Sequence, residues 1–146
     1  MKITAKAVIF IMNDNFLATP LPPDIADMTV FEAAAISASA RRAGFAVFEL
    51  DGAGMKAKPA LMEHIARSLA FPGDFGENWD ALIDYLGDMA NFHKNNKILI
   101  LIGAAAEIAG SDPALYSELR NVCGLACNNA REWSKGAVIL KFIFIS

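Results

Sequence analysis

Basic residues are missing from the whole stretch between Arg67 and Lys94, in a chain of 146 residues carrying 13 Lys and Arg against 16 Asp and Glu. Elsewhere the cations are scattered and outnumbered, which excludes a general polyanion binder. Long apolar runs are also lacking. The longest, Ile98 to Ala106, is interrupted by Gly103 and ended by Glu107, far short of the roughly 18 residues that span a bilayer. The leading apolar stretch, Ala7 to Met12, is followed by Asn13-Asp14-Asn15 and is too short for a signal peptide, so a cytoplasmic protein is expected. Cysteine is scarce. Cys123 and Cys127 stand four apart with no further ligand nearby, so they read as buried thiols and neither a metal site nor a cofactor is expected. Gly52-Ala53-Gly54 lacks the third glycine of a dinucleotide loop and reads as a turn. No phosphate-binding loop, nucleophile elbow, repeat or low-complexity segment occurs.

Apolar content is high, at 55%, which excludes disorder as the dominant state and permits one domain with a sizeable core. Residues 1–43 read as a β-α extension: a strand Ala5 to Met12, a loop with Pro20, Pro22 and Pro23, and an Ala-rich helix to Ala43. Thr29 with Glu32 forms a capping-box pattern, and Gly44 takes the position after the helix end. Residues 44–146 read as the core. Its expected strands are Phe45–Leu50, Ile98–Ile102 and Ala137–Ile145. Between them lie one helix with Pro59 at its first helical position, a second capped by Asn78 and running to about Met89, and a third begun by Asp112-Pro113 and ended by Gly136. Strands apolar on nearly every residue, alternating with helices, predict an α/β fold with a small parallel sheet covered on both faces. The sheet would have three strands, or four if the extension adds one.

The cation-free stretch holds Asp74, Glu77, Asp80, Asp84 and Asp88. At about 100° per residue, Glu77, Asp80, Asp84 and Asp88 share one helix face, with Trp79, Leu82, Ile83 and Leu86 turned toward the core. Carboxylates one turn apart repel, costing a few tenths of a kcal/mol per pair. The helix dipole accounts for Asp80 in the first turn but not for Asp84 or Asp88. A solvated acidic face is the plain alternative to a binding surface. A metal site would need loop and backbone oxygens as well.

The run Phe71-Pro72-Gly73-Asp74-Phe75-Gly76-Glu77-Asn78-Trp79-Asp80-Ala81-Leu82-Ile83-Asp84-Tyr85-Leu86 resembles the signature of the barstar family of ribonuclease inhibitors. The likeness rests on Pro72, the aromatic-Gly-x-Asn pattern at Phe75 to Asn78, Asp80-Ala81-Leu82 and Asp84, and extends over about residues 44–146. It implies a non-enzymatic immunity or antitoxin role. The loop and helix would enter the active-site groove of a basic ribonuclease, with Asp74, Phe75, Gly76, Asn78, Asp80, Asp84 and Asp88 as the partner-binding set. Asp84 would take a substrate phosphate's place, Asp80 would add a second carboxylate, and Gly76 and Asn78 would shape the loop. Three positions depart from the family pattern. Asp74 and Ile83 stand where it has aromatic residues, and its later acidic contact falls at Arg131 or Glu132. Lost aromatics are lost anchors, so the resemblance implies a divergent target: another ribonuclease, a non-ribonuclease toxin or another basic protein.

Two other classes stay open. An enzyme would use Glu77 or Asp84 as acid or base and would need a deep pocket beside Asp84. An oligomeric scaffold would use the added strand and the apolar content. His64 beside its helix's apolar stripe, His93 in a polar loop, and Trp79 and Trp133 on apolar faces read as structural.

Overall fold

Ile98, Ile100 and Ile102 belong to one hydrophobic cluster and the intervening Leu99 and Leu101 to another. The strand that carries them therefore separates two cores, as its unbroken apolar sequence requires. This is how the chain is arranged in a computed structural model, which describes residues 15–146. The elements run β1 (Ile25–Met28), α1 (Val30–Arg42), β2 (Ala46–Asp51), a 3-10 turn (Gly52–Gly54), α2 (Lys58–Ser68), α3 (Trp79–Gly87), α4 (Met89–His93), β3 (Lys97–Gly103), α5 (Ala105–Ser111), α6 (Pro113–Trp133) and β4 (Ile139–Ile145). All strand pairings are parallel, in the order β1-β4-β3-β2. The expected α/β class and parallel core are thus observed.

The larger core lies between one face of the sheet and α2, α3, α5 and α6, with Leu61, Ile65, Leu82, Leu86, Leu119 and Ala126 buried in it. The smaller core lies under α1, where Ala33, Ile36 and Ala40 meet Leu99, Leu101 and Ile143. Local signals fix the element ends. The Thr29–Glu32 capping box forms in both directions. Gly44, at φ +90°, lets its own N–H reach Arg41 and that of Phe45 reach Ala40, which closes α1. Asp112 caps α6 through the Leu115 N–H, with Pro113 at the first helical position.

The fourth strand is present but comes from an unexpected place. Ala5 to Met12 lies outside the described residues. The strand that joins β4 is Ile25–Met28, a segment assigned by sequence to the proline-marked loop. Four residues are too few to show a period, and their pairing depends on long-range anchors. Arg120 holds Asp27 through two hydrogen bonds of 2.7 and 3.0 Å. Arg131 holds Asp24 at 3.0 Å and the Pro20 carbonyl at 2.7 Å. Lys141, fully buried within β4, donates to the Leu21 and Pro23 carbonyls at 2.8 and 2.7 Å.

Candidate functional site: an acidic helix start and its supporting loop

The loop from Phe71 to Asn78 is held against the helix that follows it by a cluster of rings. Phe71 stacks on Tyr85 with centroids 5.2 Å apart, and Phe75 meets both rings edge-on at 5.2 and 5.3 Å. Phe92 closes the cluster against Phe71 and Tyr85. Such rings hold the loop through area and edge-to-face contacts. The Tyr85 hydroxyl donates to Asp74 Oδ1 at 2.6 Å. This bond is the main cause that raises the Tyr85 phenol above its ordinary pKa. Asp74 thus occupies its aromatic-to-acid position as a tethered carboxylate.

Glu77 adopts φ +51° immediately before the cap. Asn78 then accepts from the Ala81 N–H at 2.8 Å and donates to the Gly76 carbonyl at 3.2 Å. One amide therefore starts α3 and fixes the glycine turn beneath it. Two sequence expectations need correction here. Glu77 is not on the helix face, because its left-handed backbone places it ahead of the first turn. Nor does the helix run to Met89: α3 ends at Gly87, and Asp88 is the cap residue between α3 and α4, with its carboxylate bonded to the Asn91 side chain.

What remains on α3 is a pair. Asp80 and Asp84 are exposed, one turn apart, and neither enters an ion pair among the described residues. Leu82 and Leu86 are buried as the helical phase demands, but Trp79 is only half-buried. It sits at the edge of the helix stripe, with the Lys58 ammonium 5.4 Å from its ring centre. That lysine, from α2, is a cation beside the acidic stretch that sequence distance concealed.

Trp133 is the larger correction. Its place on the apolar stripe of α6 predicts burial, yet it is 54% exposed. It occupies the last helical position, where the stripe runs off the end of the core. It borders α3: a Cβ at Gly87 would lie 3.1 Å from the Trp133 ring and 3.2 Å from Asn129 Cβ. Arg131 turns away to Asp24 and Pro20, and Glu132 is exposed.

The remaining candidates have structural partners. His64 accepts from the Asp51 N–H at 3.0 Å. His93 lies on α4 rather than in a loop, half-buried against Phe48 and 2.8 Å from the Leu69 carbonyl. Cys123 and Cys127 are buried, and burial pushes both thiols far above their ordinary pKa. A concavity of about 310 Å³ sits at the carboxyl ends of the strands, lined by Glu49, Asp51 and Gly103 among others; neither Asp80 nor Asp84 lines it. Among the described residues no cluster of His, Cys, Asp and Glu is arranged to hold a metal, and no helix is long and apolar enough to cross a membrane.

The geometry defines an α/β protein that presents a carboxylate pair on a helix entered from an aromatic-backed loop. The chain belongs to the barstar family: the model of that family, described as barstar (barnase inhibitor), matches residues 45–141. The match begins one residue before β2 and includes the whole loop and helix just described. It is a family of inhibitors rather than of enzymes. None of the curated proteins matches the sequence. Among solved structures, the Aeropyrum pernix ORC2 protein, determined as ADPNP–ADP complexes, is similar in fold at a TM-score of 0.58 and 15% identity. That likeness covers 97% of this chain and 39% of the ORC2 chain, and it concerns the fold alone.

Proposed function

We propose that this protein binds a basic ribonuclease of the barnase type and blocks its active site with the start of α3 and the loop before it. The observation that carries this reading is the exposed, unpaired Asp80–Asp84 pair on a helix whose entry is fixed by Asn78, Gly76 and the Phe71–Phe75–Tyr85 cluster, within the region the family model matches. A carboxylate held in place satisfies a phosphate-binding cation without reorganising, and charge-assisted bonds are the strong ones. Asp84 would face the enzyme's phosphate-binding cations and Asp80 would flank it. Asp74 and Phe75 would form the loop rim, and Asp88 the far rim. The unit that does this is residues 44–146, with 1–43 as an N-terminal extension.

A second reading, a different basic protein as target, is favoured by Asp74 and Ile83. Both stand where the resemblance calls for aromatic anchors, and Ile83 is half-buried rather than presented. Calorimetric titration against barnase and against a panel of basic ribonucleases and toxins, at low and high salt, tests both. Binding that weakens with salt and is lost in Asp80→Ala/Asp84→Ala supports the proposal. Salt-independent binding, or binding indifferent to the double substitution, overturns it. Binding only to a non-ribonuclease selects the second reading.

A further inference from the structure

We infer that Trp133 is the aromatic anchor of this surface and that, with Asp88, it receives an arginine side chain of the basic partner. The inference rests on the proposed role of the acidic helix and adds a residue to it. Between the end of α6 and the junction of α3 and α4 lies a small concavity of about 100 Å³, lined by Gly87, Asp88, Asn91, Ala130, Trp133 and Ser134 among others, none of them basic. One wall is an indole that is 54% exposed although it sits on an apolar stripe. The same lining carries the half-buried Asp88, whose carboxylate also accepts from the Asn91 side chain. A planar cation fits that pairing, because an indole face attracts a guanidinium and a carboxylate bonds its edge. The volume suits one side chain and falls well below the 300–1,000 Å³ common for small-molecule sites.

The concavity lies at the end of the helix that carries the acidic pair, with Gly87 and Asp88 in its lining. On α3, Asp80 lies about 20° and Asp84 about 60° around the axis from Gly87, by helical geometry. Gly87 is the residue Trp133 packs against, about 4.5 Å along the axis from Asp84 and about 10.5 Å from Asp80, so the indole stands at the far end of the helix that carries the two carboxylates. Gly87 makes this possible, since any Cβ there would intrude on the ring and on Asn129. Aromatic residues next to charge are the composition of interface hot spots. The chain therefore carries, at the end of α6, an aromatic contact of the type its loop and helix lack at Asp74 and Ile83.

The test uses two probes, barnase and a hexa-arginine peptide, against wild type, Trp133→Ala, Trp133→Phe and Asp80→Ala/Asp84→Ala, with thermal unfolding to confirm that each variant is folded. The Trp133 indole N–H resonance, assigned by its loss in Trp133→Phe, reports the site directly. The expected result is a shift of that resonance on adding hexa-arginine, larger than with hexa-lysine. Affinity for both probes should fall about tenfold or more in Trp133→Ala and less in Trp133→Phe. If barnase binds and is lost only in the double aspartate variant, with Trp133→Ala unchanged and the indole unmoved, the inference fails while the proposed function stands. If barnase does not bind but hexa-arginine moves the indole and Trp133→Ala weakens it, the inference stands and the ribonuclease reading fails. An indole that neither probe moves, with Trp133→Ala equal to wild type, overturns the inference.

Discussion

The Tyr85 hydroxyl and the Asp74 carboxylate meet at 2.6 Å, joining the loop before α3 to the outer turn of that helix. The phenol is held above its ordinary pKa first by this hydrogen bond, then by partial burial and by the negative charge of Asp74. A tyrosine whose folded pKa exceeds its unfolded value of about 10 lends stability below that pH and loses it as pH climbs through the folded value. Ultraviolet titration should therefore show one of the two tyrosines ionising late. In Asp74→Asn that late step should move down toward the ordinary range. A late step unchanged by the substitution would mean that the loop is not tethered there.

Asp84 and Glu77 should differ in kinetics. Truncating a carboxylate that is buried against partner cations leaves those cations unpaired, so Asp84→Ala should act mainly on dissociation and cost about 2 kcal/mol or more. The barnase–barstar complex is itself among the systems from which that range is drawn. Glu77→Gln removes an exposed charge outside the proposed contacts and should act mainly on the association rate at low salt, with the difference fading as the screening length falls below about 8–10 Å. Stopped-flow association and dissociation measured at two salt concentrations separate the two behaviours. Equal effects of both substitutions on dissociation would contradict the assignment.

Gly87 should not tolerate a methyl group. Alanine gains about 1 kcal/mol in helix propensity, but overpacking costs about 1–3 kcal/mol. The obstacle at 3.2 Å is Asn129 Cβ, fixed to the backbone of the long helix α6. Gly87→Ala should therefore lose about 1 kcal/mol in urea unfolding. A stabilised variant would show that the α3–α6 contact has slack.

Lys141→Met should loosen the leading segment. The substitution keeps the buried stem but removes both donors to the Leu21 and Pro23 carbonyls, leaving acceptors worth about 1–3 kcal/mol unsatisfied. Denaturant unfolding should show that loss. Amide exchange should rise at Ile25–Met28 while β3 stays protected. Uniform exchange across the sheet would instead make β1 part of one cooperative unit.

Cys123 and Cys127 are both buried, and burial raises both thiols. The reactive thiolate is thus suppressed in the folded state. Iodoacetamide at mild alkaline pH should leave the native protein unlabelled and modify both residues in urea, read by mass spectrometry. Native labelling at either position would reveal an opening of α6.

The sequence by itself determined whatever is local or strictly periodic. Continuous apolar strands must have a covered face on each side, so Ile98–Ile102 declared a parallel sheet. Thr29 with Glu32, Asn78 and Asp112-Pro113 declared helix starts, because each satisfies backbone donors within three residues. The exposure of Asp80 and Asp84 opposite Leu82 and Leu86 followed from helical phase alone. Only the tertiary structure decided what depends on distant partners or on where a periodic pattern stops. Ile25–Met28 became a strand because Arg120, Arg131 and Lys141, far along the chain, hold the segment against β4. Glu77 left the acidic face because a left-handed residue precedes the cap. Trp133 kept its place on the apolar stripe but not its burial, since α6 extends to the edge of the core it packs on. Phase tells which way a side chain points; only the packed neighbours decide whether anything is there to cover it.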